Sequence, residues 1–328
     1  MPAPFIHEEA WRKTFEGYVI VDCAARSRDI VYLVIRQSLS EEESGELLDS
    51  DIPTRFVAIF LDQEDPPERW AHQGLADFRR PICGACRKPI GQGMAISING
   101  DVFASGSKKT GMEEIVVDGQ PTSIERVRCI ADHAYTVGLL REVYRRAEVG
   151  KWEALSAGLP PVEADGVPVE RLNDFGFRDI DGFATDDLYA VGGKGEVWRY
   201  DGHRWRPGRF PDQVPLFAVC CGADQQVYVS AEGQTLYRGS GDRWERVHQG
   251  QGTDPYHDLR WFQGRLWMSS RQRFDQLVDG QVRPVPPSDR QKAFHGHLDT
   301  AEGLLVIATQ DSVDAFDGRA WRPIVRPY

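Results

Sequence analysis

Residues 187–205 read DLYAVGGKGEVWRYDGHRW, and this stretch decides the fold because it recurs three more times along the chain. It aligns without a gap with residues 226–244 (QVYVSAEGQTLYRGSGDRW) and residues 265–283 (RLWMSSRQRFDQLVDGQVR). With one deletion it also aligns with residues 304–321 (LLVIATQDSVDAFDGRAW). The spacing between the turn glycines is 39, 39 and 38 residues, for Gly202, Gly241, Gly280 and Gly318. Self-similarity at so steady a period indicates a repeat architecture.

Each copy has the pattern of several short strands joined by tight turns. In the first copy, residues 188–191 (LYAV) are β-branched, aromatic or small, which suits a pleated, half-buried surface. A second run, residues 196–200 (EVWRY), ends at an Asp-Gly turn whose glycine can adopt a positive φ and close a hairpin. The next strand opens with Trp205, and an apolar run at residues 177–183 precedes the copy. Each repeat therefore predicts four strands, named A to D in chain order.

Four short antiparallel strands in every ~40 residues predict one blade of a β-propeller. The repeat resembles bacterial propeller repeats of the WD40-like or kelch-like kind, and the resemblance is strongest over residues 177–325. What this resemblance implies is a fold and not an activity, because one fold hosts many unrelated functions.

The first half of the chain carries weaker copies of the same unit, so we predict an all-β fold with a single β-propeller domain over residues 1–328. Seven blades are predicted, with six as the alternative if residues 93–150 form one irregular blade. The predicted blades span roughly residues 16–71, 93–123, 124–156, 177–209, 216–248, 256–286 and 295–326. Residues 10–15 (AWRKTF) resemble residues 320–325 (AWRPIV), which predicts an N-terminal strand that closes the ring and covers an open sheet edge.

Composition excludes several classes of protein. The formal net charge of −11, with no basic stripe to neutralise phosphates, argues against a nucleic-acid partner. No stretch approaches the ~18 consecutive apolar residues of a membrane span, and the N-terminus lacks the basic and apolar regions of a secretory signal. Six cysteines without such a signal are expected to be reduced thiols, which predicts a cytoplasmic protein.

Two short motifs each share part of the pattern of a known binding site. The loop Gly192-Gly193-Lys194-Gly195 is interpreted as a B–C hairpin, because a phosphate-binding loop would be followed by a helix and here a strand follows. Cys83 and Cys86 form a C-x-x-C pair, interpreted as two thiols. The alternative is a zinc site completed by Cys129 and His133, since structural zinc needs four ligands. We predict no cofactor and no metal.

In propellers the D–A and B–C loops share one face, called here the loop face, and the fold resemblance implies that this face carries the ligands. The candidate partner-binding residues on it are Arg178, Asp179, Lys194, His257, Asp258, Arg271, Arg273, His295 and His297. Histidines and aspartates near A-strand starts are capable of acid–base chemistry or metal binding. These residues belong to different blades and no two blades share a polar motif, so we predict partner contacts rather than catalytic groups.

Two irregular connections extend the loop face. Residues 38–51 (SLSEEESGELLDSD) carry six acidic residues and no basic one, which is typical of either a solvated loop or a contact surface for a basic partner. Residues 156–176 form a long D–A connection, and loops of that length are often functional or disordered.

These features favour a non-enzymatic propeller that binds another protein with its loop face. One concrete version is an immunity protein or antitoxin that neutralises a bacterial toxin, with a basic toxin domain as the partner and no role for nucleic acid or membrane. The alternative is a propeller enzyme, a hydrolase or lyase acting on a carbohydrate or small ester, with His257, His295 and His297 at the channel mouth. An adaptor within a larger assembly is a third interpretation.

Overall fold

The structure, a computed structural model, describes residues 3–116, 122–162, 174–285 and 296–328. Within these residues the chain forms seven antiparallel sheets of four strands, and each sheet uses four strands that are consecutive in the sequence. Each sheet is one blade of a β-propeller. The predicted all-β propeller with seven blades is therefore confirmed, and residues 93–150 contribute to two blades rather than to one.

The strands of the first three blades are β1 (Tyr18–Ser27), β2 (Ile30–Gln37), β3 (Thr54–Phe60), β4 (Trp70–Leu75), β5 (Ile82–Cys86), β6 (Gln92–Ile96), β7 (Asp101–Gly106), β8 (Lys109–Glu114), β9 (Ile124–Ile130), β10 (His133–Gly138), β11 (Val143–Glu148) and β12 (Lys151–Ala154). Those of blades 4 and 5 are β13 (Asp179–Ala184), β14 (Asp187–Gly192), β15 (Glu196–Tyr200), β16 (Trp205–Pro207), β17 (Leu216–Cys221), β18 (Val227–Ala231), β19 (Thr235–Ser240) and β20 (Arg243–His248). Those of blades 6 and 7 are β21 (Asp258–Phe262), β22 (Arg265–Ser269), β23 (Phe274–Val278), β24 (Gln281–Pro284), β25 (His297–Ala301), β26 (Leu304–Ala308), β27 (Val313–Phe316) and β28 (Trp321–Val325).

The ring is held by contacts between neighbouring blades. The A strands β1, β5, β9, β13, β17, β21 and β25 each contact the next one, and β25 contacts β1. Apolar side chains fill the space between the sheets: Tyr189 and Val191 of blade 4, for example, pack with Val219 and Val229 of blade 5. Burying such β-branched and aromatic side chains between two sheets is the main stabilising term.

The N-terminal segment packs between the first and last blades, but no N-terminal strand joins either sheet, and residues 10–15 do not form the predicted closing strand. Most of that segment lies in helix α1 (Glu8–Thr14), which has acidic residues in its first turn and basic residues in its last turn. This charge order complements the helix dipole, and Arg12 pairs with Glu8 one turn away at 2.7 Å. The contact with β28 is made instead by a bend at Phe5 and Ile6, whose backbone N–H groups donate to the carbonyl groups of Pro323 (3.1 Å) and Ile324 (2.9 Å).

This N-terminal contact predicts a measurable loss of stability when Ile6 is shortened. Ile6 is 0 % exposed between the first and last blades, so Ile6→Ala leaves a cavity and is expected to lower the free energy of unfolding by about 2 kcal/mol. Urea unfolding followed by tryptophan fluorescence would measure it. Leu48→Ala is the matched control, because that side chain is 70 % exposed; equal losses for both variants would contradict the proposed closure.

Blade 2 begins earlier than the predicted residue 93, because its A strand is β5, which contains Cys83-Gly84-Ala85-Cys86. Small residues replace the usual β-branched ones here because the neighbouring blades come close. A Cβ on Gly84 would lie 2.6 Å from the Val127 side chain of blade 3, and a Cβ on Gly93 would lie 2.4 Å from the Tyr32 ring of blade 1. Glycine is therefore required at both positions for blade 2 to pack between its neighbours.

Two α-helices occur among the described residues, α1 and α2 (Glu41–Glu46). Neither is long and apolar enough to cross a bilayer.

Candidate functional site

The A strands of five blades project charged side chains into the central channel. Together these residues are called the channel cluster: Asp22, Arg126, Arg128, Asp179, Asp181, His257, Asp258, Arg260, His297 and Asp299. His257 directly precedes β21, and the other nine lie within β1, β9, β13, β21 and β25.

Each aspartate of the cluster links its own blade to the next one. The carboxylate accepts a hydrogen bond from a backbone N–H group on the A strand of the following blade. The pairs are Asp22 with Cys83 (2.8 Å), Asp179 with Val219 (2.9 Å), Asp181 with Cys221 (2.8 Å), Asp258 with Leu298 (3.3 Å) and Asp299 with Ala25 (2.9 Å). Hydrogen bonds to a charged acceptor contribute more than neutral ones, so these contacts tie successive blades together around the channel.

Arginines connect the same carboxylates. Arg128 of blade 3 forms a bidentate pair with Asp179 of blade 4, with N···O distances of 2.8 and 2.6 Å. Arg126, also on blade 3, reaches across the channel to blade 6, where it lies 3.3 Å from Asp258 and donates to the His257 carbonyl group at 2.8 Å. Because blades 3 and 6 lie on opposite sides of a ring of seven, Arg126 spans the channel.

Two aspartates of the cluster have opposite electrostatic environments. Burial alone would raise the pKa of Asp258, but the guanidinium groups of Arg126 and Arg128 and the imidazole of His297 outweigh it and hold that pKa well below its usual range. Asp181 forms no ion pair with a described residue, and burial raises its pKa to about 6 despite the hydrogen bonds that it accepts and the more distant charge of Arg128. The Asp258 charge is therefore stabilised in the folded ring, whereas the Asp181 charge is disfavoured there.

The imidazoles of His257 and His297 meet at the channel mouth, with ring centroids 5.2 Å apart. Nε2 of His257 lies 3.1 Å from the Gly296 carbonyl oxygen, and burial lowers the pKa of His257 to about 4. Nδ1 of His297 lies 3.3 Å from Asp258 and 3.5 Å from Asp22. Burial opposes protonation of His297 as well, but these two carboxylates outweigh it and raise its pKa.

The two histidines predict pH effects of opposite sign. The folded pKa of His297 is raised above its unfolded value of ~6.5, so it stabilises the fold below that pH and this stability is lost as the pH rises through the folded pKa. His297→Gln should therefore destabilise more at pH 5.5 than at pH 8. For His257, whose folded pKa is depressed to about 4, stability is lost as the pH falls below ~6.5, and His257→Gln should remove that acid-side loss. Thermal melts across this pH range measure both; parallel pH profiles for the two variants would contradict the assignment.

The donor atoms of His257, Asp258 and His297 lie within 4.8 Å of one another, a spacing that a divalent cation could bridge. The carboxylate, however, already has three guanidinium groups within 4.0 Å, those of Arg126, Arg128 and Arg260. A divalent cation placed there would face these positive charges at close range. The group therefore fits a network of ion pairs better than a metal site.

The other predicted loop-face residues are not members of the channel cluster. Lys194 has a 56 % exposed side chain and pairs with Asp174 at 2.8 Å. The Arg273 side chain is 44 % exposed and pairs with the buried Asp275 at 2.9 Å. Arg271 is exposed, and the Arg178 guanidinium lies 5.2 Å from the centre of the Phe217 ring. His295 lies outside the described residues.

Asp179 and Asp258 have different surroundings from those expected of partner contacts. Asp179 is 0 % exposed and Asp258 is 1 % exposed, because both carboxylates are used inside the ring. His257 and His297 keep side-chain exposures of 23 % and 33 % and are accessible from the mouth.

Cys83 and Cys86 lie three residues apart on β5, so their side chains point to opposite faces of the strand. Cys83 packs in the apolar cluster shared with blade 1, and Cys86 packs in the cluster shared with blade 3. Two thiols separated by a sheet cannot bind one ion, so this pair does not fit the zinc alternative. Burial raises the pKa of both thiols, which makes them poor nucleophiles.

Sequence reasoning missed six members of the channel cluster: Asp22, Arg126, Arg128, Asp181, Arg260 and Asp299. One signal was present, since the A-strand segments 177–183, 257–262 and 295–300 all contain aspartate. Arg126 and Arg128 carried no such signal, because their partners lie on other blades.

This chain resembles known proteins both in sequence and in structure. No family model matches it. Over 243 residues the chain is 35 % identical to Immune protein Tsi7 of Pseudomonas aeruginosa, and the match covers 72 % of this chain and 77 % of that protein.

Among solved structures, the WD40 β-propeller domain of Doa1 has a TM-score of 0.55 at 10 % identity and covers 90 % of this chain and 95 % of its own. A virginiamycin B lyase from Staphylococcus aureus also has a TM-score of 0.55 at 10 % identity, and the match covers 76 % of this chain and 85 % of the lyase. Identities this low show a shared fold and carry no activity over to this chain. The predicted WD40-like propeller is confirmed by this likeness.

Proposed function

This chain belongs to the family of Immune protein Tsi7, and we propose that it is an immunity protein that binds and neutralises a bacterial toxin protein. The single observation that carries the proposal is the 35 % identity to Tsi7 over 243 residues. The propeller supports it, because a rigid ring presents loops from seven blades on one face to a partner. The net charge of −11 supports a partner of opposite charge, a basic toxin domain.

We place the contact on the loop face. Lys194, Arg271, Arg273, His257 and His297 are its accessible members among the predicted residues. We leave Asp179 and Asp258 out of the contact surface because their carboxylates are buried in ion pairs.

We further propose that the protein acts in the cytoplasm. All six cysteines are free thiols, as expected of a protein that resides in a reducing compartment.

The test begins with purification of the tagged chain from its native host and identification of any bound protein by mass spectrometry. That protein is then expressed in a heterologous bacterium alone and together with the chain. We expect growth arrest in the first case and normal growth in the second. A bound protein that is harmless when expressed alone, or whose toxicity persists when the chain is present, would overturn the proposal.

A further inference from the structure

The B–C loop of blade 1 differs from those of all the other blades. In blades 2 to 7 the B and C strands are joined by short turns, such as residues 97–100, 193–195 and 270–273. In blade 1 the connection runs from residue 38 to residue 53 and contains α2. Long connections in compact domains are usually functional or disordered, and this one is folded.

Both ends of this loop are fixed to the ring, the first by the Ser38 backbone N–H, which donates to the Gly17 carbonyl group at 2.9 Å. Asp49 accepts hydrogen bonds from the Arg36 side chain at 2.9 Å and from the Arg80 backbone N–H at 2.7 Å. Ser40 and Glu43 form a reciprocal capping box at the start of α2, in which the Glu43 carboxylate accepts from the Ser40 N–H at 2.8 Å. The loop is therefore held in one place on the loop face.

The segment between these anchors contributes no buried side chain. All residues from 41 to 48 are exposed, and α2 buries no side chain. Helices this short are marginal in water unless an apolar face is packed. Leu47 and Leu48 are 42 % and 70 % exposed, two of only five large apolar side chains that are exposed among the described residues.

The charges around the two leucines are also uncompensated. Glu41, Glu42 and Glu46 form no ion pair with any described residue, and the last turn of α2 contains no basic residue. Glu42 and Glu46 lie four residues apart, where like charges repel, and Glu46 lies at the negative end of the helix dipole. A cationic surface placed against α2 would relieve both effects.

From this exposure and these unpaired charges we infer that Leu47 and Leu48, surrounded by the glutamates of α2, form the docking point for a partner protein. The partner presents an apolar depression bordered by Lys and Arg side chains. This inference rests on the proposed function and assigns the basic toxin domain to this loop. The leucines supply the buried contact and the glutamates steer the encounter, as in interfaces with an apolar centre and a charged rim.

Binding of the purified partner by surface plasmon resonance tests the inference. Leu47→Ser/Leu48→Ser is expected to raise Kd by at least about tenfold, mainly through faster dissociation. Glu41→Lys/Glu42→Lys/Glu46→Lys is expected to slow association by about tenfold at low salt and to weaken its salt dependence. Melting temperatures should change little, because none of these side chains is buried in the ring.

Two matched controls lie elsewhere on the surface. Met112→Ser removes an apolar side chain that is 61 % exposed on β8, and Glu148→Lys reverses a charge that is 71 % exposed at the C–D turn of blade 3. Both should bind like the parent. The docking point is wrong, and the proposed function stands, if the parent binds the toxin and both loop variants bind it within about twofold of the parent. The same conclusion follows if the loop variants change only self-association in sedimentation. If the parent binds no toxin, the docking point and the proposed function are both wrong.

Discussion

Replacing Asp258 with asparagine is expected to lower the free energy of unfolding by about 3–5 kcal/mol. The carboxylate is 1 % exposed and lies 3.3 Å from Arg126, 3.6 Å from Arg128 and 3.4 Å from Arg260. Asparagine is neutral, so three guanidinium groups would face one another around the channel without their shared anion. Urea unfolding of the Asp258→Asn variant and the parent at pH 7 measures the loss.

Asp181→Asn is the matched control for this variant, because it also removes one buried A-strand carboxylate. Burial raises the folded pKa of Asp181 to about 6, above the unfolded value of ~3.9. The ionised form that predominates at pH 7 is therefore disfavoured by folding, and a neutral amide still accepts the hydrogen bond from Cys221. We expect a change within about 1 kcal/mol, or a gain. Equal losses for the two variants would show that charge pairing is not what makes Asp258 important.

A second large effect is expected from Arg146→Met, between blades 2 and 3. Arg146 is 0 % exposed and forms a bidentate pair with Glu113, whose Oε2 lies 2.9 Å from Nε. Its guanidinium also donates to Gln92 at 2.7 Å. Methionine fills a similar space but leaves the Glu113 carboxylate, 4 % exposed, without its cation. We expect a loss of about 3–5 kcal/mol in the free energy of unfolding, measured by urea titration.

The double variant Arg146→Met/Glu113→Gln separates the ion pair from packing. Glutamine is uncharged and keeps an oxygen for the Trp152 indole N–H, which donates to Glu113 at 3.2 Å. Most of the lost stability should return in the double variant, since removing both charges of a buried pair is often close to neutral. A double variant as unstable as Arg146→Met would instead assign the effect to the lost packing of the arginine side chain.

Much of the fold was predictable because the later blades keep a regular period. The turn glycines and the strand-opening tryptophans Trp205, Trp244 and Trp321 repeat in phase, and the structure places each of these tryptophans in an outer strand. Local sequence is sufficient there, because each hairpin is formed by residues that are close along the chain.

Two elements were missed because their neighbours, and not their own residues, decide their structure. The strand β5 contains Cys-Gly-Ala-Cys, which has little β-propensity and is selected by the close approach of Val127. Residues 10–15 resemble an outer strand by composition, but the acidic residues Glu8 and Glu9 before them favour a helix.

The channel cluster was the least predictable part. Arg126 and Asp258 are far apart in the sequence and meet only because the ring places blades 3 and 6 opposite each other. A single sequence identifies which residues carry charge, but pairing across a ring depends on the number of blades and on the register of every A strand.

The links made by the channel aspartates have a consequence for how this chain can change over time. The hydrogen-bond donor on the next blade is always a backbone N–H group, that of Cys83, Val219, Cys221, Leu298 or Ala25. Every amino acid except proline supplies a backbone N–H, so the donor position of each link tolerates almost any substitution. Adjacent blades can therefore diverge independently while the link between them persists. Each link requires only its aspartate, so loops on the outer surface can vary without disturbing the connections around the channel.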